Sequence, residues 1–475
     1  MVLAANMTPK NLSQTEMTIH HTSKESKLES FTRKKIRFKS VIETLPHTNE
    51  ESNYDPDLEI SGNRNASLVI GISTIKREKT YLFETLNSIF SAIDYDKDLT
   101  NQVLIILSIA EIEDSQFVNE TVERILTNYK KNVDSGLLDI IQPAKIFYPS
   151  FNEAVKRDYV FNDSAQRIRW RKKQNYDVSY LMNYAKERGI YYLQLEDDIL
   201  CQYNFVSEIF KFVQKSNNDL DSRWKMIEFS PLGFIGKLFR TKDLTIFINM
   251  FLWFSDYKPL DLIHNYVFDI IACDPSKNIK LCKPNLQKVK IVYKPSLFQH
   301  VGLQSSLKGK IQKLKDKKFV HKIPIKKHLN PDATLSTSFK FYQGHTFSKL
   351  YFGIDYCWIN EGAGRDNITI NFKEKFLLKG YVIKSGASLH PDDKIPINSS
   401  LEIRLSDKIN HEELKSKNLF PTKDDYFEVD RIQNDSGEMV RNLNQTLWFN
   451  INSLRLRVPN FTADKWILIY EFGIF

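Results

Sequence analysis

Three consecutive carboxylates, Glu196, Asp197 and Asp198, follow the apolar and aromatic run Tyr191-Tyr192-Leu193-Gln194-Leu195. Adjacent acids repel one another, so such a triplet is tolerated in open water or around a cation. Hard oxygen ligands at the open end of a strand suit magnesium or manganese, and such a metal typically also holds a substrate phosphate. A solvated acidic turn is the competing reading, because acid triplets are common. The short, bounded run of strand-formers before the acids favours the metal reading.

The elements around this run set the fold class. Ser67–Ser73, Gln102–Ile109 and Leu137–Ile141 read as buried strands. Tyr81–Ala92, Phe117–Tyr129 and Arg167–Arg188 carry apolar residues at helical spacing between them. Strands that alternate with helices and are apolar on both faces predict an α/β domain, doubly wound on a mostly parallel sheet. Ligands bind such sheets at the carboxyl ends of the strands, where the acid triplet would lie. Phe205–Val213 reads as a helix and Trp224–Phe229 as a strand leading into Ser230-Pro-Leu-Gly-Phe-Ile-Gly236, in which Gly233 and Gly236 permit close backbone approach to a ligand. Thr241–Phe254 reads as an apolar helix, and Ile291–Phe298 as a strand-like run ahead of His300.

From about Leu335 the pattern changes to short alternating runs separated by turns, the signature of an all-β sandwich. Residues 1–65 are polar and read as a disordered or stem-like leader. The expected organisation is therefore a leader over 1–65, an α/β domain over 66–330 and a β-sandwich over 335–475.

The chain has 475 residues and a net charge of +9. Its basic residues are spread widely, densest between Lys283 and Lys327, with no RNA-binding aromatic pattern and no zinc-finger spacing. A basic excess is compatible with nucleic acid, an anionic membrane or a phosphate-bearing small molecule, and the missing patterns disfavour nucleic acid. None of the four cysteines forms a CxxC pair, which disfavours structural zinc. Cys273 and Cys282 bracket a short polar loop and are either a local disulfide or two free thiols. No run reaches the ~18 apolar residues that span a bilayer, and the apolar start Met1–Ala5 stops too soon for a signal peptide. Taken alone this reads as cytosolic; against it, Asn-X-Ser/Thr triplets recur from Asn6 to Asn460.

Several segments resemble one family. Tyr191 to Ile199 resembles the metal motif of N-acetylglucosaminyltransferase IV, as do Glu228-Phe-Ser-Pro-Leu-Gly-Phe-Ile-Gly-Lys237, Lys294-Pro-Ser-Leu-Phe-Gln-His300, the Ser305–Asp316 segment and Arg169-Trp-Arg-Lys-Lys-Gln-Asn175. The resemblance runs from about Leu68 to the C-terminus, in order and at similar spacing. It implies a glycosyltransferase A-type domain followed by a lectin-like β-sandwich that binds terminal N-acetylglucosamine. It implies a manganese-dependent, inverting transfer of N-acetylglucosamine from UDP-GlcNAc to O4 of the α1,3-linked core mannose of N-glycans on glycoproteins, in the Golgi. Other Golgi glycosyltransferases are possible partners. An alternative reading is a catalytically weak member that binds and modulates other N-acetylglucosaminyltransferases.

Under that resemblance the residues take roles. Asp198 is the first metal ligand, and Asp197 or Glu196 contacts the donor ribose or reaches the metal through water. His300 completes the metal shell, or is a satisfied core histidine. An inverting transfer needs a general base. Asp261 is the first candidate, expected at a helix N-cap where backbone NH groups keep it ionised. Glu228 is the runner-up and Asp256 the third. Ser73, Thr74, Glu111 and Glu113 end strands where a donor nucleotide would lie. Arg169, Lys173 and Gln174 are placed to reach the uracil or a phosphate, or form a solvated helix face. In the β-module, His390, Asp392 and Asp393 match the sugar-contacting segment, with a plain turn as the competing reading.

Overall fold

The computed structural model describes residue 45 and residues 53–475, apart from 152–160, 220–222, scattered positions within 308–324, 363, 388–391 and 460–464, and most of 408–418. The chain divides into two compact units, one ending at Val320 and the other beginning at His321.

In the first unit the strands are β1 (Leu58–Ile60), β2 (Ala66–Thr74), β3 (Val103–Ile109), β4 (Leu138–Gln142), β5 (Gly189–Glu196), β6 (Ile199–Cys201), β7 (Met226–Glu228), β8 (Lys237–Arg240), β9 (Lys290–Val292) and β10 (Phe298–His300). The helices are α1 (Leu82–Tyr95), α2 (Ser115–Asp134), α3 (Ala165–Ala185), α4 (Phe205–Asn218), α5 (Leu244–Trp253), α6 (Leu260–Ala272) and α7 (Lys283–Val289). Eight strands form one sheet in the order β1-β4-β3-β2-β5-β8-β7-β9. Its centre is parallel: β4, β3, β2 and β5 run the same way, joined by helical crossovers. β8 is inserted antiparallel between β5 and β7.

Every residue of β3 is buried, the mark of a strand covered on both faces. The two coverings are distinct apolar clusters. α1, α2 and α4 pack one face through Leu86, Ile125 and Ile209, and α3, α5 and α6 pack the other through Leu181, Phe247 and Val267. β5 thus ends inside a double-sided core, and its last residue opens on to the sheet's carboxyl edge. β2 and β5 are in register there, with Ser73 opposite Glu196.

Three expectations change. Residues 58–60, inside the segment read as leader, form β1 and pair antiparallel with β4. The reason is local and polar: buried Asp139 of β4 accepts from Ser61 Oγ at 2.7 Å and from the Gly62 amide at 3.1 Å. Ile291–Phe298 is not one strand. It divides into β9 and the start of β10, separated by Lys294-Pro295, because Pro295 has no amide to donate to a ladder. The apolar run from Thr241 begins as a short 3₁₀ turn, Thr241–Asp243, before α5. Cys273 and Cys282 are joined as a disulfide, and Cys201 and Cys357 are buried thiols.

The described elements of the second unit are strands, together with two 3₁₀ turns and the short helix α8 (Phe347–Tyr351). Its strands are β11 (Ala333–Thr337), β12 (Lys340–Phe341), β13 (Cys357–Glu361), β14 (Arg365–Leu378), β15 (Gly380–Ser385), β16 (Ser400–Leu405), β17 (Phe420–Pro421), β18 (Phe427–Arg431), β19 (Glu438–Asn442), β20 (Phe449–Pro459) and β21 (Ile467–Ile474). They form a six-stranded sheet, β11-β14-β20-β16-β18-β17, and a five-stranded sheet, β12-β13-β21-β15-β19. Ile370, Ile403 and Leu454 of the first meet Ile359, Ile383 and Ile469 of the second in one apolar core, which is a sandwich. The runs 447–451 and 454–458 are one strand, β20, whose pairing with β14 slips register between Asn371 and Phe376.

Buried charge ties β1, β4 and the end of α3 together. Arg188 donates to Asp139 Oδ2 at 2.8 Å, to the Arg64 carbonyl at 2.9 Å and to Tyr184 Oη at 3.1 Å. Asp139 is completely inaccessible to solvent. Asp139→Asn would leave the guanidinium without its counter-charge, and breaking a buried pair from one side costs about 3 kcal/mol or more. The expected outcome is a clear fall in the urea midpoint of the first unit, measured by fluorescence. A midpoint equal to the parent's would mean that Arg188 is satisfied without Asp139.

Candidate active site

The acid triplet occupies the end of β5 and the turn into β6. Alternation separates the three side chains, and each meets a different part of the domain. Asp197 is 1% exposed and accepts from Thr74 Oγ1 at 2.5 Å. Asp198 is 5% exposed and faces His300, whose Nε2 lies 3.3 Å from Asp198 Oδ2. Glu196 points to the loop after β7, where the Phe234 amide donates to its Oε1 at 3.4 Å.

His300 reaches Asp198 because β10 pairs antiparallel with β6, setting His300 opposite Ile199. The Val301 amide closes the ribbon on the Asp198 carbonyl at 2.9 Å. Gly302 follows, and a Cβ there would lie 2.2 Å from Asp198 Oδ2, so only glycine lets the strap pass so close. Ligand atoms of Glu196, Asp198 and His300 all lie within 4.8 Å of one another. Asp198 Oδ1 is buried and has no hydrogen-bond partner among the described residues. Two carboxylates, one imidazole and an unmet buried oxygen fit a divalent cation such as manganese.

The charges are tuned unequally. Burial, reinforced by the charges of Asp198 and Asp261, pushes the Glu196 carboxyl well above the usual range. Burial also raises Asp197, against the pull of an arginine, Arg77, beside it. For Asp198, burial is outweighed by His300 and Arg77, which hold it low, and His300 is raised in return by Asp198. Asp198 is therefore the carboxylate of the cluster that His300 and Arg77 keep charged.

Asp261 belongs to the same field, since its charge acts on Glu196. It is not the N-cap of its helix. Pro259 takes that position, and Asp261 sits in the first turn of α6. Its surface is exposed, yet dense surrounding protein raises its carboxyl above the usual range despite Lys237 and Lys310. An exposed carboxylate whose charge reaches the cluster is open to an acceptor hydroxyl. Glu228 is placed otherwise: burial would raise it, but Lys290 at 3.1 Å and Lys237 at 3.4 Å outweigh that and hold it low. Asp256 pairs with Lys172 at 2.7 Å. Among the described residues, Asp261 is thus the carboxylate of the three without an ion pair.

The remaining sequence candidates divide. Ser73 and Thr74 end β2 beside the acids. Glu111 and Glu113 follow β3, and Glu113 pairs with Lys145 at 2.9 Å. Lys173 is engaged within the fold, donating to the Ala110 carbonyl at 2.6 Å and to Asp177 at 2.9 Å. Arg169 is on the exposed face of α3 and Gln174 is half-buried. Gly233 has φ +44 and abuts Glu196 Oε1; Gly236 has φ +66 and packs against Phe298. Both glycines serve close approach of protein to protein. Sequence reasoning passed over Arg77, Tyr81, Gly302 and Lys310. Tyr81 Oη accepts from the Leu303 and Gln304 amides, Trp170 Nε1 donates to Ser306 Oγ at 3.0 Å, and Lys310 lies 5.5 Å over the Trp170 ring. These contacts clip the strap after His300 across the site. They join residues more than a hundred positions apart, so no local pattern announces them.

In the β-unit, His390 and Asp393 surround an aromatic cluster. Trp358 Nε1 donates to Asp393 Oδ2 at 3.0 Å, and the Trp358 ring lies 4.6 Å from His390, 5.0 Å from Tyr342 and 5.4 Å from Trp466. Asp392 is exposed beside them.

Two family descriptions match the chain: MGAT4 conserved region over residues 34–319 and MGAT4 C-terminal domain over residues 333–471. The chain is 37% identical to alpha-1,3-mannosyl-glycoprotein 4-beta-N-acetylglucosaminyltransferase A of Bos taurus, covering 93% of this chain and 81% of that one. It is 39% identical to the B enzyme of Homo sapiens, covering 78% of this chain and 66% of that one. Among solved structures, a family 32 carbohydrate-binding module from Streptococcus pneumoniae EndoD covers 30% of this chain at 14% identity and a TM-score of 0.22, too slight a likeness to argue from. The two family matches and the extent of the shared sequence make this chain a member of the MGAT4 family.

Proposed function

We propose that the first unit is a glycosyltransferase A-type domain and that the chain transfers N-acetylglucosamine from UDP-GlcNAc to O4 of the α1,3-linked mannose of an N-glycan, with inversion. The single observation that carries this reading is the juxtaposition of a cation-ready cluster, Glu196, Asp198 and His300, with the exposed carboxylate of Asp261, whose charge acts on Glu196. Relatives that share most of the chain are named for this reaction. The same cluster disfavours a purely modulatory member, which would have no need of it.

In the proposed mechanism Asp198 and His300, with Glu196, would hold a manganese ion, which would supply positive charge against the diphosphate of the donor. Asp197, fixed by Thr74, would contact the donor ribose. Asp261 takes the proton from the acceptor 4-hydroxyl as that oxygen bonds to the anomeric carbon. The bond between that carbon and the phosphate oxygen breaks on the opposite face, and UDP leaves with the electron pair. The reading places the protein in the Golgi lumen, where donor and N-glycans meet. No helix among the described residues is long and apolar enough to cross a membrane.

The β-unit would bind terminal N-acetylglucosamine on the Trp358, Trp466 and Tyr342 faces. Sugars lay their C–H faces on aromatic rings and offer hydroxyls to a carboxylate, and Asp393 both fixes Trp358 and presents such a group.

Asp198→Asn is expected to lower turnover by on the order of 100-fold or more and to abolish manganese-dependent UDP binding in titration calorimetry; unchanged UDP binding would remove Asp198 from the cation site. Asp261→Asn should keep UDP binding yet lose roughly 100-fold in rate, typical of a missing general base. A retained rate would reassign the base. Asp393→Ala should weaken glycan-array binding while leaving transfer to a small free acceptor near the parent value, and equal array binding would refute the sugar site.

A further inference from the structure

Arg77 follows β2 in the loop Ile75-Lys76-Arg77 and carries no signature in the sequence. In the fold it lies across the acid pair. One terminal nitrogen pairs with Asp197, and the other reaches Asp198 Oδ2 at 3.1 Å. The side chain is only 9% exposed. Its Nε–H is buried and finds no hydrogen-bond partner among the described residues.

A buried donor left unmet is costly, and a guanidinium edge of this kind suits a phosphate oxygen. The cluster therefore holds two unmet groups of opposite demand. Asp198 Oδ1 asks for a cation, and Arg77 Nε–H asks for an anion. A nucleoside diphosphate arriving with a divalent metal answers both at once. We infer that Arg77 is a diphosphate-binding residue that couples nucleotide to metal. This inference rests on the reading of the cluster as the donor site.

The coupling has a defined sign. A cation entering alone meets the positive guanidinium already bound to the same carboxylates, and the two repel. The diphosphate cancels that repulsion and gives Arg77 its missing acceptor. Arg77 thus weakens the metal by itself and strengthens the metal–nucleotide pair, a coupling expected in the range of roughly 5- to 150-fold.

The test is titration calorimetry on the full chain, with manganese alone and with UDP in the presence and absence of saturating manganese. For Arg77→Met, manganese alone should bind about 5-fold tighter and UDP with manganese about 10-fold weaker. Arg77→Lys keeps the charge without the fork and should fall between. If Arg77→Met does not fold, Arg77→Lys decides: weaker UDP with undiminished manganese supports the inference. A merely structural prop would weaken both ligands together, and that result overturns it, as does UDP binding equal to the parent's. If the parent binds UDP with manganese and the variant matches it, only the role of Arg77 falls. A parent that binds UDP with no dependence on manganese removes the donor-site reading and this inference together.

Discussion

Negative charge confined at the end of a buried strand is the constraint on which the first unit turns. Glu196, Asp197 and Asp198 emerge from a core covered on both faces, so water cannot fully screen them. Each carboxylate is handled by a different means. Asp197 takes hydrogen bonds from Thr74 and Arg77. Asp198 takes Arg77 and His300. Glu196, which accepts a long hydrogen bond from the Phe234 amide, is pushed toward its protonated form by burial and by the neighbouring acids. A site in which one acid is held charged and its neighbour is reluctant to ionise gains most from a bound cation, because the cation relieves both conditions.

Much of the surrounding architecture reads as support for that arrangement. The β6–β10 ribbon brings a histidine from a hundred residues away. Gly302 keeps the strap close enough to matter, and Tyr81 and Trp170 hold it down. Lys237 and Lys290 quench Glu228, which concentrates the unpaired basicity on Asp261. The β-unit shows a parallel economy on a smaller scale. There one carboxylate, Asp393, fixes the indole of Trp358 and faces His390, so that rigid rings rather than mobile loops define the surface offered to a sugar.

The α/β class was legible because β2, β3 and β5 are continuous apolar runs too long and too branched to be anything else between amphipathic helices. The sandwich was legible from period-two alternation. The acid triplet and His300 were legible because their residue types are unusual after apolar strands. The edges were less so. β1 is three residues long, and its pairing is set by Asp139 and Arg188, which lie far from it in sequence. Gly233 and Gly236 were recognised as points of close approach, but what approaches them is Glu196 and Phe298, which only packing could reveal.

By itself the sequence determined which residues could do chemistry: the acids, the histidine, the candidate bases and the His390 to Asp393 segment of the β-unit, since side-chain chemistry and periodicity are local properties; the rings of Trp358, Trp466 and Tyr342 beside that segment came only from the fold. The tertiary structure decided which of them act together. It separated Asp261 from Glu228 and Asp256 by giving the latter two lysine partners, and it withdrew Lys173 into a structural contact with Asp177. It also brought Arg77 across Asp197 and Asp198. Such assignments depend on distances between groups remote in sequence, and Coulombic and hydrogen-bond energies vary too steeply with distance and burial to be read from composition or spacing.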